Sequence, residues 1–359
     1  MLDFTDRKSI RDFESDSLGG RNLKKAIKFG VLGCGFWSKF QISAWKELDG
    51  VELVALYNRT RSKAEKFASE FGVPKIYNTP EELMSDPEID FVDIITDAAV
   101  HAEHVQLAAK YKKPVICQKP MARSLEEGKG MVEACAKAGI PFMVHENWRW
   151  QIPIRKVKEI LDTGAIGDPF RCNLYWCNGF PVFENQPFLA NIEQLIIADL
   201  GIHVLDTARF FFGEAQNIYC HTSKVNKKVK GEDSATIMMK MGNVTCIVQV
   251  SYSSILENDP FPHTLALIEG DKGSIELCRN YLVKLTTKAG TQSFRIPPPK
   301  YSWVEPAYEV VQTSMVPTNA HWLECFSSGK EPETSGADNL KTLQLVYSAY
   351  ESANTSKAI

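Results

Sequence analysis

The sequence predicts a two-domain α/β protein: an N-terminal doubly wound parallel sheet, then an α+β domain built on a large open, mainly antiparallel sheet. Three observations carry this. Short apolar runs alternate with helical segments from residue 26 to 146, and after Trp150 the alternation gives way to long β-type runs. The length, 359 residues, exceeds what one ordinary core organises.

Residues 1–25 are charged and weakly periodic and read as a surface arm, with a short helix around Lys8 to Glu14. From Ala26 the runs AIKFGVLG, VELVALYN, IDFVDIIT, KPVICQKP and IPFMVHEN are separated by helical stretches such as HAEHVQLAAKY and SLEEGKGMVEACAKAG. Continuous apolar strands between helices imply a parallel sheet covered on both faces, so 26–146 is one dinucleotide-type domain. The second domain, 147–359, opens with the helix PIRKVKEILDTGAIG and continues in strands, with MGN and EGDKG as hairpin turns. In its last helix Leu340, Leu343, Val346, Tyr347 and Tyr350 share a face, which must pack back on the protein.

Composition narrows the function. With 44% hydrophobic and 24% charged residues the chain is an ordinary globular one, and a net charge of -3 offers no general basic field for nucleic acid or anionic membrane. No apolar run approaches the roughly 20 residues of a membrane span, and no export signal opens the chain, so a cytoplasmic protein is expected. The nine cysteines are scattered and form no C-x-x-C pair, which suits reduced thiols rather than disulfides or zinc. His101 and His104 lie three apart without an acid or third ligand, so no metal is expected.

Four motifs carry chemistry. GVLGCGFWSK ends the first strand and opens a helix. Its Gly33 permits a tight turn, Gly35 lets the backbone approach a pyrophosphate, and Phe36 and Trp37 follow at the helix start. Ser38 stands where a third glycine is usual. The second strand ends in Asn58-Arg59-Thr60-Arg61 with no acid for the ribose hydroxyls, which leans towards NADP without excluding NAD. Lys119 follows the fifth strand, on the carboxyl edge where open α/β sheets bind ligands, and Thr96, His101 and Gln118 are candidate cofactor contacts with it.

In IADLGIHVLDTARFFFG, a helix starting near Asp199 would put Asp199 and His203 four apart on one face, where the carboxylate could orient the imidazole; Asp206 could serve instead. In HENWRWQ, at the domain junction, Trp148 and Arg149 are candidate cofactor contacts and Asn147 a substrate contact, or the segment is an interface wedge.

These residues resemble the Gfo/Idh/MocA oxidoreductases, whose first domain is a Rossmann domain. The resemblance runs from about residue 26 to the last helix and rests on GVLGCGFWSK, on QKP where the family usually writes E-K-P, on NWRW and on DLGIHVLDTARFFFG. It implies that Lys119 is the active-site lysine, with Asp199 and His203 its partners across the cleft between domains, and that the open sheet makes homodimer or homotetramer contacts. Ser38, Asn58 and Gln118 depart from the pattern. Within the family CQKPMA and HENWRWQ look most like the D-apiose dehydrogenase branch, which oxidises a branched pentose at C1 to a lactone.

The activity implied is NAD(P)-dependent dehydrogenation of a sugar or polyol hydroxyl. Histidine, ordinarily near 6.5, suits a base at neutral pH better than lysine, ordinarily near 10.4. His203 is therefore read as the base, Asp199 as its orienter or a hydroxyl ligand, and Lys119 as the cation that polarises the hydroxyl; the reverse division of Lys119 and His203 stays open. A redox-neutral, NAD-dependent glycosidase is the alternative, and a dinucleotide- and sugar-sensing regulator the reading outside catalysis. The sugar, the carbon and the direction are open.

Overall fold

The structure is a computed structural model and describes residues 26–256 and 264–359. The predicted N-terminal arm lies outside the described residues. Two compact units divide the described residues: one takes 26–145 together with Met315–Asp338, the other Glu146–Ser314 with Asn339–Ile359.

The first unit holds a six-stranded parallel sheet in the order β3-β2-β1-β4-β5-β6. Its strands are β1 (Ile27–Leu32), β2 (Val51–Tyr57), β3 (Lys75–Tyr77), β4 (Phe91–Ile94), β5 (Val115–Gln118) and β6 (Phe142–His145). The helices are α1 (Phe36–Trp45), α2 (Arg61–Phe71), α3 (Pro80–Ser85), α4 (His101–Lys110) and α5 (Leu125–Ala138). Every residue of β4, β5 and β6 is buried. Both sheet faces are covered by helices, which is why these strands read as unbroken apolar runs rather than alternating ones. The strand order reverses between β1 and β4, and at such a switch point the carboxyl ends leave a ligand crevice.

Phe29, Trp45 and Phe91 form the aromatic centre of this core, with ring centroids 5.0 to 5.4 Å apart. Trp322 meets Phe91 edge-on at 5.7 Å, and it comes from the late segment Met315–Asp338, which the sequence reading placed in the second domain. The helix that carries it, Glu309–Ser328, has no clear sequence signal, because Pro317 sits in its interior and proline is the strongest signal against a helix.

The second unit contains α6 (Ile152–Asp162), α7 (Ile202–Phe212) and an eight-stranded sheet in the order β14-β13-β12-β11-β7-β10-β9-β8. Its strands are β7 (Pro169–Cys177), β8 (Asn217–Ser223), β9 (Ser234–Met241), β10 (Val244–Ser251), β11 (Leu265–Gly270), β12 (Gly273–Cys278), β13 (Leu282–Thr287) and β14 (Gly290–Arg295). All pairs are antiparallel except β7 with β10. The alternating burial of β8 and β9 marks a sheet with one face packed on the core and one open. The helix α7 packs on β7 and β10. Of the last helix, Leu343, Val346, Ala349 and Tyr350 are buried.

Candidate active site

The glycine turn after β1 closes on itself. The N–H of Gly33 bonds Tyr57 O at 2.8 Å, that of Cys34 bonds Asn58 Oδ1 at 3.0 Å, and that of Gly35 bonds Ser38 Oγ at 2.9 Å. Gly33 is at φ 106° with its Cα packed on Ile95 O, so a Cβ would come within 2.4 Å of that oxygen. Gly35 is different: nothing lies within 4 Å of where its Cβ would stand. Phe36 and Trp37 then begin α1, whose first-turn backbone N–H groups have no partner within the helix and would suit an anion. Ser38 thus fills the third glycine's place by capping the turn. Asn58 has both amide atoms in use, since its Nδ2 donates to Thr60 O at 2.8 Å; Arg59 beside it is exposed.

At the carboxyl edge of the same sheet, Lys119 follows β5 and is half-buried. Its backbone is held by a chain of side-chain amides. The N–H of Lys119 bonds Gln118 Oε1 at 2.8 Å, Gln118 Nε2 bonds Gln41 Oε1 at 2.8 Å, and Gln41 Nε2 reaches both carboxylate oxygens of Asp93 at 2.9 and 2.8 Å. Trp45 Nε1 completes the shell of Asp93 at 2.7 Å. Complete burial pushes the Asp93 carboxyl up to about 7, against these donors. His101 lies between the backbone oxygens of Pro120, 3.0 Å from Nδ1, and Thr96, 3.1 Å from Nε2. It joins the loops after β4 and β5, and burial lowers its tendency to protonate.

In the second unit the segment after β6 enters a buried polar cluster. His203, 4% exposed, brings Nδ1 to 2.6 Å from Glu146 Oε1. The same oxygen accepts the backbone N–H of Trp148 at 3.1 Å. The Trp148 indole stacks on the imidazole, centroids 4.3 Å apart and planes 16° from parallel, and is pinned by Nε1 donating to Thr264 Oγ1 at 2.8 Å. Asn147 Nδ2 donates to Val311 O and Ser314 Oγ at 3.0 and 2.9 Å.

Two expectations need correction. Asp199 does not orient His203: its Oδ2 accepts the hydroxyl of Tyr252 at 2.6 Å. Residues Ile197–Gly201 form a π-helical turn ahead of α7, and its wider winding takes Asp199 off the face that a continuous α-helix would share with His203. Asp206 does not serve either. It is bound bidentately by Arg149, at 2.7 and 2.6 Å, and accepts the Thr342 hydroxyl at 3.0 Å. Arg149, expected as a cofactor contact, is thereby committed to an internal ion pair.

Two family models match the chain: the NAD-binding Rossmann fold of the Gfo/Idh/MocA oxidoreductases over residues 27–146, and the Gfo/Idh/MocA C-terminal domain over 154–276. The chain belongs to the Gfo/Idh/MocA family. Among its relatives, the D-apiose dehydrogenase of Rhizobium rhizogenes is 43% identical over 93% of this chain and 97% of its own length. That of Paraburkholderia graminis is 40% identical over 93% and 90%. An oxidoreductase from Agrobacterium radiobacter, solved with NAD+, L-tartaric acid and magnesium, superposes with a TM-score of 0.92 at 42% identity, covering 93% of this chain and 98% of that one.

As a member of this family the chain is an NAD-binding oxidoreductase, and its turn fits the cofactor. No protein atom requires glycine at 35, and its φ of -96° is open to any residue, so the bare Cα leaves room in which a pyrophosphate would fit. The residues that sequence reasoning missed are Glu146 and Tyr252. The first had one signal, being the single acid in HENWRWQ; the second had none, because its partner is 53 positions away.

Proposed function

We propose that the chain oxidises the anomeric hydroxyl of a small aldose, D-apiose foremost, to the lactone with NAD(P) as acceptor. The observation that carries this is the nearly full-length likeness to two D-apiose dehydrogenases. When bound, the nicotinamide takes the hydride from the sugar carbon, and the proton chemistry is left to the protein. Gly35, Phe36 and Trp37 would hold the pyrophosphate, Asn58 and Arg59 the adenosine ribose, and the loops of Thr96 and Lys119 the nicotinamide end.

His203 Nε2 takes the hydroxyl proton as the C1–H bond gives up its electron pair and C1=O forms. Among the described residues no hydrogen-bond partner meets Nε2, so it is the ring nitrogen left for substrate. Lys119 donates to the same hydroxyl oxygen and stabilises the charge that builds there. Asp199, steadied by Tyr252, accepts a neighbouring sugar hydroxyl, and Asn147 Oδ1 is a further contact. The loop after β2 lacks the acid that would repel a 2′-phosphate, and Arg59 offers it a cation, so NADP is accepted beside NAD. The protein works as a homodimer or homotetramer.

The test is to offer the purified protein a panel of aldoses and polyols, D-apiose included, with NAD and NADP separately, and follow reduced cofactor. Turnover on D-apiose that is lost in Lys119→Ala supports the reading; turnover confined to other polyols replaces the substrate. With Arg59→Ala the NADP KM should rise at least about threefold more than that for NAD.

A further inference from the structure

We propose that Glu146 is the positioning residue of the reaction: it fixes the tautomer of His203 so that Nε2 faces the substrate as the proton acceptor. This rests on the assignment of His203 as the base.

A neutral imidazole carries one N–H, and which nitrogen holds it depends on what the other atoms of the site can accept. Glu146 Oε1 lies 2.6 Å from Nδ1, a separation typical of a charge-assisted bond. An ionised carboxylate only accepts, so the proton of a neutral His203 must sit on Nδ1 and the lone pair on Nε2. The orientation is fixed too. Oε1 is itself held by the Trp148 N–H, and the Trp148 indole lies flat against the imidazole, so the ring cannot tilt without breaking that stack, nor flip without losing the bond from Nδ1 to Glu146. Glu146 is fully buried and His203 nearly so, which leaves little water to compete for the bond.

The carboxylate also supplies charge. As Nε2 takes the substrate proton the ring becomes cationic, and the adjacent anion stabilises that cation, as a carboxylate does in any acid-histidine pair.

The other ionisable groups around His203 are already engaged. On its own helix Asp206 and Arg209 belong to the cluster with Arg149 and Thr342. Asp199, on the π-turn, bonds Tyr252. Arg155 and Lys158 of α6 lie over the Phe210 ring, and the strands packed on α7 bury the Cys172 and Cys246 thiols. Glu146 alone among the described acids bonds the imidazole.

The experiment compares pH profiles of kcat/KM for the wild type, Glu146→Gln, Glu146→Asp and His203→Gln on the sugar substrate. In the wild type the acid limb reports protonation of the base. Glu146→Gln keeps an oxygen for Nδ1–H but removes the charge, so the limb should move to lower pH while kcat falls at least about tenfold. Glu146→Asp should restore the limb and part of the rate. A uniform loss of rate with the limb unmoved overturns the role of Glu146 and leaves His203 as base. A limb that survives in His203→Gln overturns the base itself, and with it this proposal. If Glu146→Gln does not fold, nitrogen-15 NMR of imidazole in the wild type decides: the Nδ1–H tautomer of His203 is expected, and the Nε2–H tautomer overturns the proposal.

Discussion

Gln118 Oε1 holds the backbone N–H of Lys119 at 2.8 Å while the same side chain donates to Gln41. A glutamate at 118, the usual residue of the family's E-K-P, could not make that donation here. Two oxygens would face each other unless the Gln41 amide turned over, and its oxygen would then need a proton from Asp93. Gln118→Glu should therefore lose on the order of 1–3 kcal/mol of stability at pH 8, and less at pH 5, where Asp93 is protonated and can donate. Denaturant titrations at the two pH values check this. An equal loss at both would separate Gln118 from the Asp93 network.

Asp93 makes its own prediction. Its carboxyl is raised from 3.8 to about 7, so between those values the native state holds a proton that the unfolded chain has released. Stability then falls as pH rises across that window and is flat above it, by roughly 4 kcal/mol at most from this group. Asp93→Asn removes the dependence, so its stability relative to wild type should improve from pH 4 to about pH 7 and then level off. Parallel stability curves for the two proteins would show that Asp93 stays ionised throughout.

The two glycines of the turn should separate fold from cofactor. Gly33→Ala forces a side chain into positive φ and against the Ile95 carbonyl, and should cost the protein at least about 2 kcal/mol. Gly35→Ala meets open space and should leave the melting temperature alone while weakening dinucleotide binding at least about tenfold. Calorimetry of unfolding and of cofactor binding on both variants reads the difference. A Gly35→Ala protein that binds normally would put the pyrophosphate elsewhere.

How much of this could be read from the sequence follows the range of each signal. The first sheet was legible because strands buried on both faces are continuous apolar runs, and the glycine turn because positive φ at 33 and a bare Cα at 35 leave glycine in the sequence. The pairing of His203 was not legible. Helical spacing suggested Asp199 or Asp206, both within four residues, yet the π-turn removed the first, Arg149 claimed the second, and the actual partner, Glu146, lies 57 positions away. The helix Glu309–Ser328 was hidden by Pro317, and the place of Trp322 in the first core depends on contacts that no local pattern encodes.

Arg149 supplies the last prediction, since sequence position made it a cofactor contact and the structure makes it the buried partner of Asp206. Both side chains are almost wholly buried and joined by two short bonds, with Phe210 under the guanidinium at 5.4 Å. Removing Arg149 strips both short bonds from a buried carboxylate and leaves it the Thr342 hydroxyl and Arg209 at 3.9 Å, so Arg149→Ala should lose about 3 kcal/mol. Arg149→Lys keeps the charge but loses the planar two-point fit, so it should recover only part of that loss. Because the guanidinium is engaged inside the protein, the lysine variant should bind dinucleotide within about twofold of wild type. Cofactor titration of Arg149→Lys, run beside its unfolding curve, tests both halves: weakened binding in a protein of unchanged stability would return Arg149 to the cofactor.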